Sequence, residues 1–405
     1  MRVRTLVKYV VVSFSLLAAT TGQSQWRLVQ TPLYGGQYDC LLVSGDKLLL
    51  SAEHGIFAST DQGYSWNRSD SGLDDFTVFR IYSFAGTLFA GNKLGICASK
   101  DNGVSWYKLS AGIPTTAVFS FTAIGSTLFA GTVNQGIFYS TDNGQTWQPR
   151  PTAMGTSAIY AMATVGSLLF AVSPGLGVYS SSDTGATWKL SEKIPFSETV
   201  MVNGNMLFVG AGDGVYRSAD NGLSWTHVTK DITTPAIMQI AAFGNNIFAG
   251  SAGGGIFFSS NNGTTWSSVN DGMTDRYLDA IAVQGSYIFA GSYDASTGQL
   301  WQRPLSNFGI SSSVPIGGEP EFDLGQNFPN PTRGITSITF SIPDKAMVTL
   351  TVCDQLGKER STIVSEELIA GSYTRQYSTA GLSPGVYFCR LQAGRYSATK
   401  LLVVD

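Results

Sequence analysis

Charged residues are scarce in this sequence: Asp, Glu, Lys and Arg make up 13% of the 405 residues, about half the usual share. The net charge at pH 7 is −3. Such a chain offers no basic surface, so neither nucleic acid nor an anionic membrane is expected as a partner. Its solubility must instead come from uncharged polar residues and glycine.

Cysteine is also rare. Four cysteines are too few for a disulfide scaffold. Cys40 and Cys97 fall in different strands of the repeat described below, and we expect both to be buried as small apolar side chains. Cys353 and Cys389 fall on two separate strands near the C-terminus. An exported protein can join such a pair, and the sequence leaves open whether it does.

Histidine is nearly absent, with one residue at position 54 and one at position 227. The two lie in different repeats, and no Cys, His or Asp cluster has the spacing of metal ligands. No metal and no cofactor are therefore expected.

Long hydrophobic runs are missing apart from one near the N-terminus. Residues 9–19 are apolar and follow the positive side chains of Arg2, Arg4 and Lys8. The run is too short to span a bilayer. Small residues follow it, so residues 1–25 are predicted to be a cleaved signal peptide. No other stretch approaches 18 apolar residues, and no transmembrane segment is expected.

Glycine, aromatic residues and an internal repeat are abundant. The 46 glycines favour short strands joined by tight turns, and no helix is expected. One pattern of eight residues, Ser-x-Asp-x-Gly-x-Ser/Thr-Trp, occurs six times at intervals of 37 to 41 residues, with Asn in place of Asp in the last copy. Its positions are Ser59, Asp61, Gly63, Trp66; Ser99, Asp101, Gly103, Trp106; Ser140, Asp142, Gly144, Trp147; Ser181, Asp183, Gly185, Trp188; Ser218, Asp220, Gly222, Trp225; and Ser259, Asn261, Gly263, Trp266.

The chemistry of a tight turn explains this octapeptide. Ser and Asp side chains accept hydrogen bonds from backbone N–H groups in the turn, and Gly supplies a positive φ. Trp then begins the next strand and buries a large ring. Calcium binding is not expected, because each turn offers a single carboxylate.

A second pattern, Leu-Phe-Ala-Gly or a close variant, occurs seven times, first at residues 49–52 and last at residues 288–291. A hairpin turn that contains glycine precedes each copy. A further strand, which begins near a second glycine, follows each copy. With the octapeptide and its Trp, each unit of about 40 residues holds four strands, as a propeller blade does.

The seventh unit has no octapeptide, but residues 26–29 stand in the register of its missing fourth strand. The sequence therefore predicts an all-β protein with a seven-bladed β-propeller over residues 26–308, closed by the N-terminal strand. The octapeptide resembles the Asp-box, or BNR repeat, of sialidases, sortilin-type receptors, xyloglucan-degrading glycosidases and photosystem assembly factors. This resemblance implies a fold and not a function.

Residues 309–320 are rich in Ser, Gly and Pro and are predicted to be a linker. Residues 321–405 contain strand-length apolar segments and predict a small Ig-like β-sandwich. This segment resembles the type A sorting domain of the type IX secretion system. The matching motif residues are Asn327, Pro329, Asn330, Pro331, Gly357, Gly385, Tyr387 and Lys400.

The resemblance implies a route of export. The protein would use the Sec pathway and then the type IX secretion machinery, and a sortase-like peptidase usually removes the tail. The product would be attached to the outer-membrane surface or released from a cell of the Bacteroidota or a related phylum. The less specific alternative is an ordinary Ig-like accessory module.

One position of the repeat is a candidate ligand site. Six residues before each hairpin glycine, the chain has Asp39, Arg80, Phe119, Tyr160, Glu198, Met238 and Asp279. These residues should ring the mouth of the central channel. Asp39, Arg80, Tyr160, Glu198 and Asp279 would form a small polar binding site, or alternatively a set of solvated side chains with Asp–Arg pairs.

The expected function is non-catalytic binding of a glycan or a protein, and no catalytic residue is assigned. The alternative is a glycoside hydrolase, sialidase-like or other, at the channel mouth. Such an enzyme needs two carboxylates facing the cleaved bond, whereas the repeat region has only three glutamates and short loops. A third hypothesis is a structural component of the cell envelope.

Overall fold

The structure is a computed structural model that describes residues 25–31, 36–75, 77–229, 235–293, 298–310, 322–325, 327, 330–332, 334–342, 345–368 and 371–404. The predicted signal peptide lies outside the described residues apart from Gln25, as do residues 311–320 of the predicted linker and Pro329 of the sorting motif. No helix in the described part of the chain is long and apolar enough to cross a membrane.

The described part of the chain opens with a short strand, β1 (Arg27–Val29), and then forms antiparallel four-stranded sheets from consecutive segments. The first sheet contains β2 (Tyr38–Ser44), β3 (Lys47–Ala52), β4 (Gly55–Ser59) and β5 (Asn67–Arg68). The second contains β6 (Val78–Phe84), β7 (Thr87–Asn92), β8 (Gly95–Ser99) and β9 (Tyr107–Lys108). The third contains β10 (Val118–Ile124), β11 (Thr127–Thr132), β12 (Ile137–Ser140) and β13 (Gln148–Arg150).

Three further sheets repeat this arrangement. The fourth contains β14 (Ala161–Val165), β15 (Leu168–Ser173), β16 (Gly177–Ser181) and β17 (Lys189–Glu192). The fifth contains β18 (Thr199–Asn203), β19 (Met206–Ala211), β20 (Gly214–Ser218) and β21 (Thr226–His227). The sixth contains β22 (Ile237–Phe243), β23 (Asn246–Ser251), β24 (Gly255–Ser259) and β25 (Ser267–Ser268).

The last of these sheets joins the two ends of the region. It contains β26 (Leu278–Gln284), β27 (Tyr287–Ser292) and β28 (Leu300–Pro304), and its order is β1-β28-β27-β26. Strand β1 pairs antiparallel with β28, with Leu28 opposite Trp301. The first strand of each sheet contacts the first strand of the next, and β26 contacts β2. The contacts between sheets therefore form a closed cycle.

The second strand of each sheet carries the core. In all seven of these strands the first residue is partly exposed and the other five are buried. These strands lie between two partners within their own sheet and between two neighbouring sheets. Both faces are therefore covered, which explains a continuous apolar run in place of alternation. Phe89 and Phe129, for example, are fully buried.

Each octapeptide forms the same hydrogen-bonded turn. In the third copy, Ser140 Oγ donates to Asp142 Oδ1 at 2.7 Å and accepts from the Gly144 N–H at 2.8 Å. The Thr146 N–H donates to Asp142 Oδ1 at 2.9 Å. Asn143 and Gly144 both have a positive φ, of 57° and 82°. All six copies make these three hydrogen bonds.

The hydrogen bonds also fix the charge of the turn. The side-chain and backbone hydrogen bonds from Thr187, together with the Ser181 hydroxyl, lower the pKa of Asp183 to about 2. Ser224 and Ser218 have the same effect on Asp220. These carboxylates are therefore ionised across the physiological pH range and committed to the turn. Asn261 keeps the geometry without the charge.

Each turn also contacts the sheet before it. A Cβ placed on Gly144 would lie 2.6 Å from Cε1 of Phe89, in the second strand of the preceding sheet. Gly63 has the same relation to Phe289, which brings the first turn against the last sheet. The octapeptide glycine therefore permits both the turn and the contact between neighbouring sheets.

Replacing this glycine should destabilise the protein more than the backbone conformation alone explains. Gly144→Ala adds a clash with Phe89 to the strain of a positive φ, and overpacking of this kind costs about 1–3 kcal/mol. Gly86→Ala is the matched control, because Gly86 has a φ of 77° and nothing within 4 Å of its Cβ position. Urea unfolding followed by tryptophan fluorescence should show the larger loss for Gly144→Ala. Equal losses would contradict the contact between the sheets.

The seventh unit covers its neighbour in another way. A 3₁₀ helix (Leu305–Phe308) follows β28 and places Phe308 against Phe248, with ring centroids 5.1 Å apart. Phe248 is the second-strand phenylalanine that a seventh octapeptide would have covered. The prediction that no helix forms is wrong at this turn, because the chain replaces the missing octapeptide by a helical turn with a buried Leu305.

The C-terminal segment forms two sheets around one core. Its strands are β29 (Asp323–Leu324), β30 (Ile335–Ile342), β31 (Ala346–Cys353), β32 (Glu359–Leu368), β33 (Gly371–Ser378), β34 (Gly385–Ala393) and β35 (Tyr396–Val404). The sheet orders are β29-β30-β33 and β32-β31-β34-β35. Both sheets contribute to one buried cluster, for example through Ile338 and Leu391. Strand β32 was not predicted from the sequence, since its residues are mostly polar and exposed.

Two asparagines of the sorting motif hold the start of this segment in place. Asn327 is buried, and its Nδ2 donates to Thr336 Oγ1 at 2.9 Å. Asn330 donates to the Leu401 carbonyl at 2.9 Å and accepts from the Val403 N–H at 2.7 Å. The opening motif is therefore fastened to the closing strand β35.

All four cysteines are free and buried. The expectation of buried thiols at Cys40 and Cys97 agrees with this finding. Cys353 and Cys389 lie on the neighbouring strands β31 and β34 without a disulfide between them.

Candidate functional site

The first strands of the seven sheets begin around a cavity of about 360 Å³. The octapeptide turns lie at the opposite end, because they follow the third strand, which runs parallel to the first. We call this cavity the channel mouth. All seven residues predicted for the ring position line it: Asp39, Arg80, Phe119, Tyr160, Glu198, Met238 and Asp279. Three aromatic residues that the sequence did not indicate also line it: Phe79, Tyr277 and Tyr293.

A β-bulge directs several of these side chains into the cavity. In the first sheet Tyr38 pairs with Ala52 and Cys40 with Ser51, which leaves Asp39 as the extra residue. The same shift leaves Asp279 unpaired between its neighbours in β26. Bulges of this kind re-aim a side chain and recur beside functional sites. Phe79, Phe119 and Met238 occupy the same position in their strands.

The sequence predicts that Arg80 lies at the same level of the channel as Asp39, but Arg80 lies one residue further along its strand. In the second sheet the bulge residue is Phe79, and Arg80 pairs with Gly91. The cause is the two-residue hairpin turn. In the second sheet the turn is Ala85-Gly86, so the glycine comes second, whereas in the first sheet Gly45 comes first. Arg80 therefore also lines a second cavity of about 210 Å³ inside the channel.

The acid at position 39 is the most enclosed polar group of the site. Asp39 is 8% exposed, and its Oδ2 has no hydrogen-bond partner. Burial, with repulsion from Asp279 and Glu53, raises the pKa of Asp39 to about 7, although Arg80 and Lys93 oppose the shift. Part of the Asp39 population is therefore protonated at neutral pH.

Asp279 is in a similar state on the neighbouring sheet. Burial raises the pKa of Asp279 to about 7, with a contribution from Glu198 and opposition from Arg80. Burial also raises the pKa of Glu198 above its usual value.

The guanidinium of Arg80 does not neutralise these acids by direct contact. Its Nε donates to the Phe119 carbonyl at 3.5 Å. Among the described ion pairs within 4.0 Å, none joins Arg80 to Asp39 or Asp279. The Asp–Arg pairs that the sequence suggested as an alternative are therefore not formed.

Replacing Asp39 should change how stability depends on pH. A carboxyl whose pKa rises from 3.8 unfolded to about 7 folded stabilises the fold below pH 4, and this contribution is lost as the pH rises to 7. The loss is at most about 1.4 kcal/mol per pH unit. Asp39→Asn should not show this loss of stability with rising pH, so it should be more stable than the wild type toward pH 8. Urea unfolding from pH 4 to 8 checks this. The exposed Asp46→Asn should follow the wild-type curve, and a parallel curve for Asp39→Asn would contradict the burial of this charge.

Aromatic rings form much of the remaining lining. Phe79 and Phe119 meet edge to face with centroids 4.7 Å apart, and Phe119 meets Tyr160 at 5.3 Å. Tyr277 and Tyr293 stack at 5.8 Å and are about two-fifths exposed. Tyr293 lines the same cavity as Asp39 and Asp279, and both acids add to the effect of burial in raising the pKa of this tyrosine. The channel mouth thus combines three acids, one guanidinium and an aromatic rim.

The described residues contain no group of three or more His, Cys, Asp or Glu side chains placed to hold a metal ion. His54 is exposed in a turn of the first sheet. His227 stacks on Tyr216 in the fifth sheet, with centroids 4.5 Å apart. Neither histidine lines the channel mouth.

Two protein families match parts of the chain. Residues 326–405 match the secretion system C-terminal sorting domain. Residues 79–206 match the DUF6242 beta propeller domain. A search among curated proteins finds no significant match. The protein therefore combines a β-propeller domain of four-stranded sheets with a type IX sorting domain, and it is secreted to the cell surface or beyond.

Solved structures show the same fold. YCF48 from Cyanidioschyzon merolae is 14% identical, with 70% of this chain and 99% of that chain covered and a TM-score of 0.56. PorZ, a surface component of the type IX secretion system of Porphyromonas gingivalis, is 15% identical, with 90% and 59% covered and a TM-score of 0.51. The GH74 xyloglucanase from Xanthomonas campestris is 14% identical, with 86% and 63% covered and a TM-score of 0.53.

These identities support a common fold and nothing more specific. The chain spans less than two thirds of PorZ and of the xyloglucanase. A surface component and a hydrolase both appear among the similar structures, so the function has to be argued from the site.

Proposed function

We propose that this protein is an exported β-propeller that binds a glycan or a protein ligand at the channel mouth without catalysis. One observation carries the proposal: side chains from all seven sheets, polar or aromatic in every sheet but the sixth, converge on one cavity of about 360 Å³. Concave sites of this size, with an apolar lining and a few convergent polar groups, are typical of ligand binding. Asp39, Arg80, Tyr160, Glu198 and Asp279 are the proposed polar contacts.

The proposal includes a more specific architecture. The seven four-stranded sheets are taken as the blades of one propeller over residues 26–308, and the octapeptides as Asp-boxes. The cyclic contacts between first strands and the pairing of β1 with β28 support this assignment. The two sheets that share a core over residues 321–405 support an Ig-like sandwich.

The proposed route begins with a signal peptide over residues 1–25 and the Sec pathway. The type IX machinery then exports the folded protein, and a sortase-like peptidase acts on the tail beyond the linker at residues 309–320. The match of residues 326–405 to the sorting domain supports this route.

A glycoside hydrolase is the second candidate, and one observation favours it. Asp39 and Asp279 both line the cavity, and burial raises the pKa of each to about 7. A carboxyl of this kind can act as a general acid near neutral pH. The equal pKa values argue against an enzyme, because a hydrolase gives its two carboxyls different pKa values and so different roles.

A binding screen with product analysis distinguishes the two candidates. The secreted protein is applied to polysaccharide and protein arrays, and every bound ligand is analysed for cleavage. Binding without turnover that is weakened by Arg80→Ala would support the proposed function. Turnover that is lost with Asp279→Asn or Glu198→Gln would overturn it in favour of the hydrolase.

A further inference from the structure

The charge of the channel mouth is unbalanced. Three carboxyls line the cavity, from Asp39, Glu198 and Asp279, against the single guanidinium of Arg80. Arg80 lies deeper in the channel and donates its Nε hydrogen to a backbone carbonyl of the next sheet. When the three acids are ionised, the mouth carries a net negative charge that no described side chain cancels by an ion pair.

One acid also lacks a hydrogen-bond donor. Asp39 is more than nine-tenths buried, and its Oδ2 makes no hydrogen bond within the protein. A buried carboxylate oxygen without a donor is costly, since its desolvation is not compensated. This oxygen is closed to solvent where it stands, but Asp39 lines the cavity, and a rotation of its side chain would bring the oxygen to a donor that enters the mouth and remove the cost.

The aromatic rim favours the same kind of ligand. Tyr293 lines the cavity together with Asp39 and Asp279 and stacks on Tyr277. Faces of Tyr and Phe rings attract a cation within about 6 Å, and the attraction is stronger where water is excluded. Carboxylates and aromatic faces around one cavity form the combination that recognises an organic cation.

A bound metal ion does not fit this chemistry. The described residues contain no group of three or more His, Cys, Asp or Glu side chains placed to hold one, and aromatic rings supply none of the oxygen ligands that a hard cation takes. A cavity of about 360 Å³ suits a group the size of a basic side chain.

We propose that the channel mouth binds an organic cation, an alkylammonium or guanidinium group, with Asp39 as the acceptor of its hydrogen bond and Tyr293 and Tyr277 as the aromatic contacts. This inference rests on the proposed function, because it names the chemistry of the ligand at the same site. The cation is either a free amine or a basic side chain on a peptide or protein, and both sources share the same contacts.

Calorimetric titration of the full-length protein at pH 8 tests the inference, with methylguanidinium compared with the neutral methylurea. The protein should bind methylguanidinium and not methylurea. Asp39→Asn should weaken the binding about ten-fold or more, since a hydrogen bond to a charged group contributes that much. Asp46→Asn removes the same charge from the exposed hairpin of the same sheet, at the other end of the channel, and should bind as the wild type does.

The N-acetylated peptides acetyl-Gly-Arg-Gly and acetyl-Gly-citrulline-Gly, which have no terminal ammonium and differ only in the charge of the middle side chain, distinguish the sources. Tighter binding of the arginine peptide than of methylguanidinium supports a basic side chain, and equal binding supports a free amine. Equal affinity for methylguanidinium and methylurea would overturn the inference, and this comparison needs only the wild type if Asp39→Asn fails to fold. In another outcome, the protein binds neither methylguanidinium nor the arginine peptide, and binds a neutral oligosaccharide in a way that Arg80→Ala abolishes. This result would overturn the inference and still support the proposed function. No ligand at the mouth in either experiment would overturn both.

Discussion

Deleting residues 321–405 should abolish delivery of the protein to the cell surface and medium. The deletion removes the whole sorting domain, which is the part that the secretion machinery recognises. Expression in a bacterium with a type IX system, followed by immunoblots of the medium, outer-membrane and periplasmic fractions, checks this result. The wild type should be in the first two fractions, and the truncated chain should be in the third.

Two controls separate sorting from folding. The truncated protein should resist protease in the periplasmic fraction, as a folded propeller does. Met347→Ala changes an exposed tail residue and should be exported normally, whereas Asn330→Ala removes the contacts of the opening motif with Leu401 and Val403 and should reduce export. Export of the truncated chain at the wild-type level would contradict the assigned role of the tail.

Trp26→Ala should cause the largest loss of stability of any single change in β1 or the residue before it. Trp26 is 3% exposed and packs in a cluster with Trp301 of the last sheet and Leu305 of the 3₁₀ helix that follows it. Its Nε1 donates to the Val269 carbonyl at 2.6 Å. Truncation of a buried tryptophan to alanine costs about 3–5 kcal/mol. Because Trp26 fastens the N-terminal strand to the last two sheets, the loss reports on closure of the ring.

Urea unfolding of two further variants makes this test specific. Leu28→Ala changes a residue of β1 that is 40% exposed, and its cost should stay within about 0.5 kcal/mol. Trp26→Phe keeps an aromatic ring and loses the hydrogen bond, so its cost should be intermediate. A Trp26→Ala protein as stable as Leu28→Ala would show that the N-terminal strand does not close the ring.

The strands of the propeller were predictable because each unit is built from local contacts. Hairpin glycines such as Gly45 and Gly125 fix the turn between the first two strands, and the octapeptide fixes the turn between the last two. Both signals lie within a few residues of the structure they produce. The pairing of β1 with β28 is a long-range contact, yet the count of repeats indicated it, since one unit lacked its outer strand.

The exceptions had no such local signal. Strand β32 is polar at most positions, and only its Val364 is a buried member of the core, so the strand is held mainly by its pairing with β31. Phe308 packs on Phe248, where a seventh octapeptide would otherwise lie. This contact depends on how two sheets pack, so no local pattern in the sequence indicates it.

The candidate site was predictable in its position and less so in its details. Counting back from the hairpin glycine found seven lining residues. It placed Arg80 at the level of Asp39, because the sequence does not show that Gly86 is the second residue of its turn. Tyr293 follows the second strand of its sheet and belongs to no repeated pattern, so only the folded chain brings it into the same cavity as Asp39.

Hydrogen exchange with and without a bound ligand tests the central claim most directly. A ligand found by the array screen should protect amides at the starts of β2, β6 and β26, around Asp39, Arg80 and Asp279, and leave the octapeptide turns unchanged. This pattern would place binding at the channel mouth. Protection confined to the octapeptide turns, at the opposite end of the channel, would contradict the account.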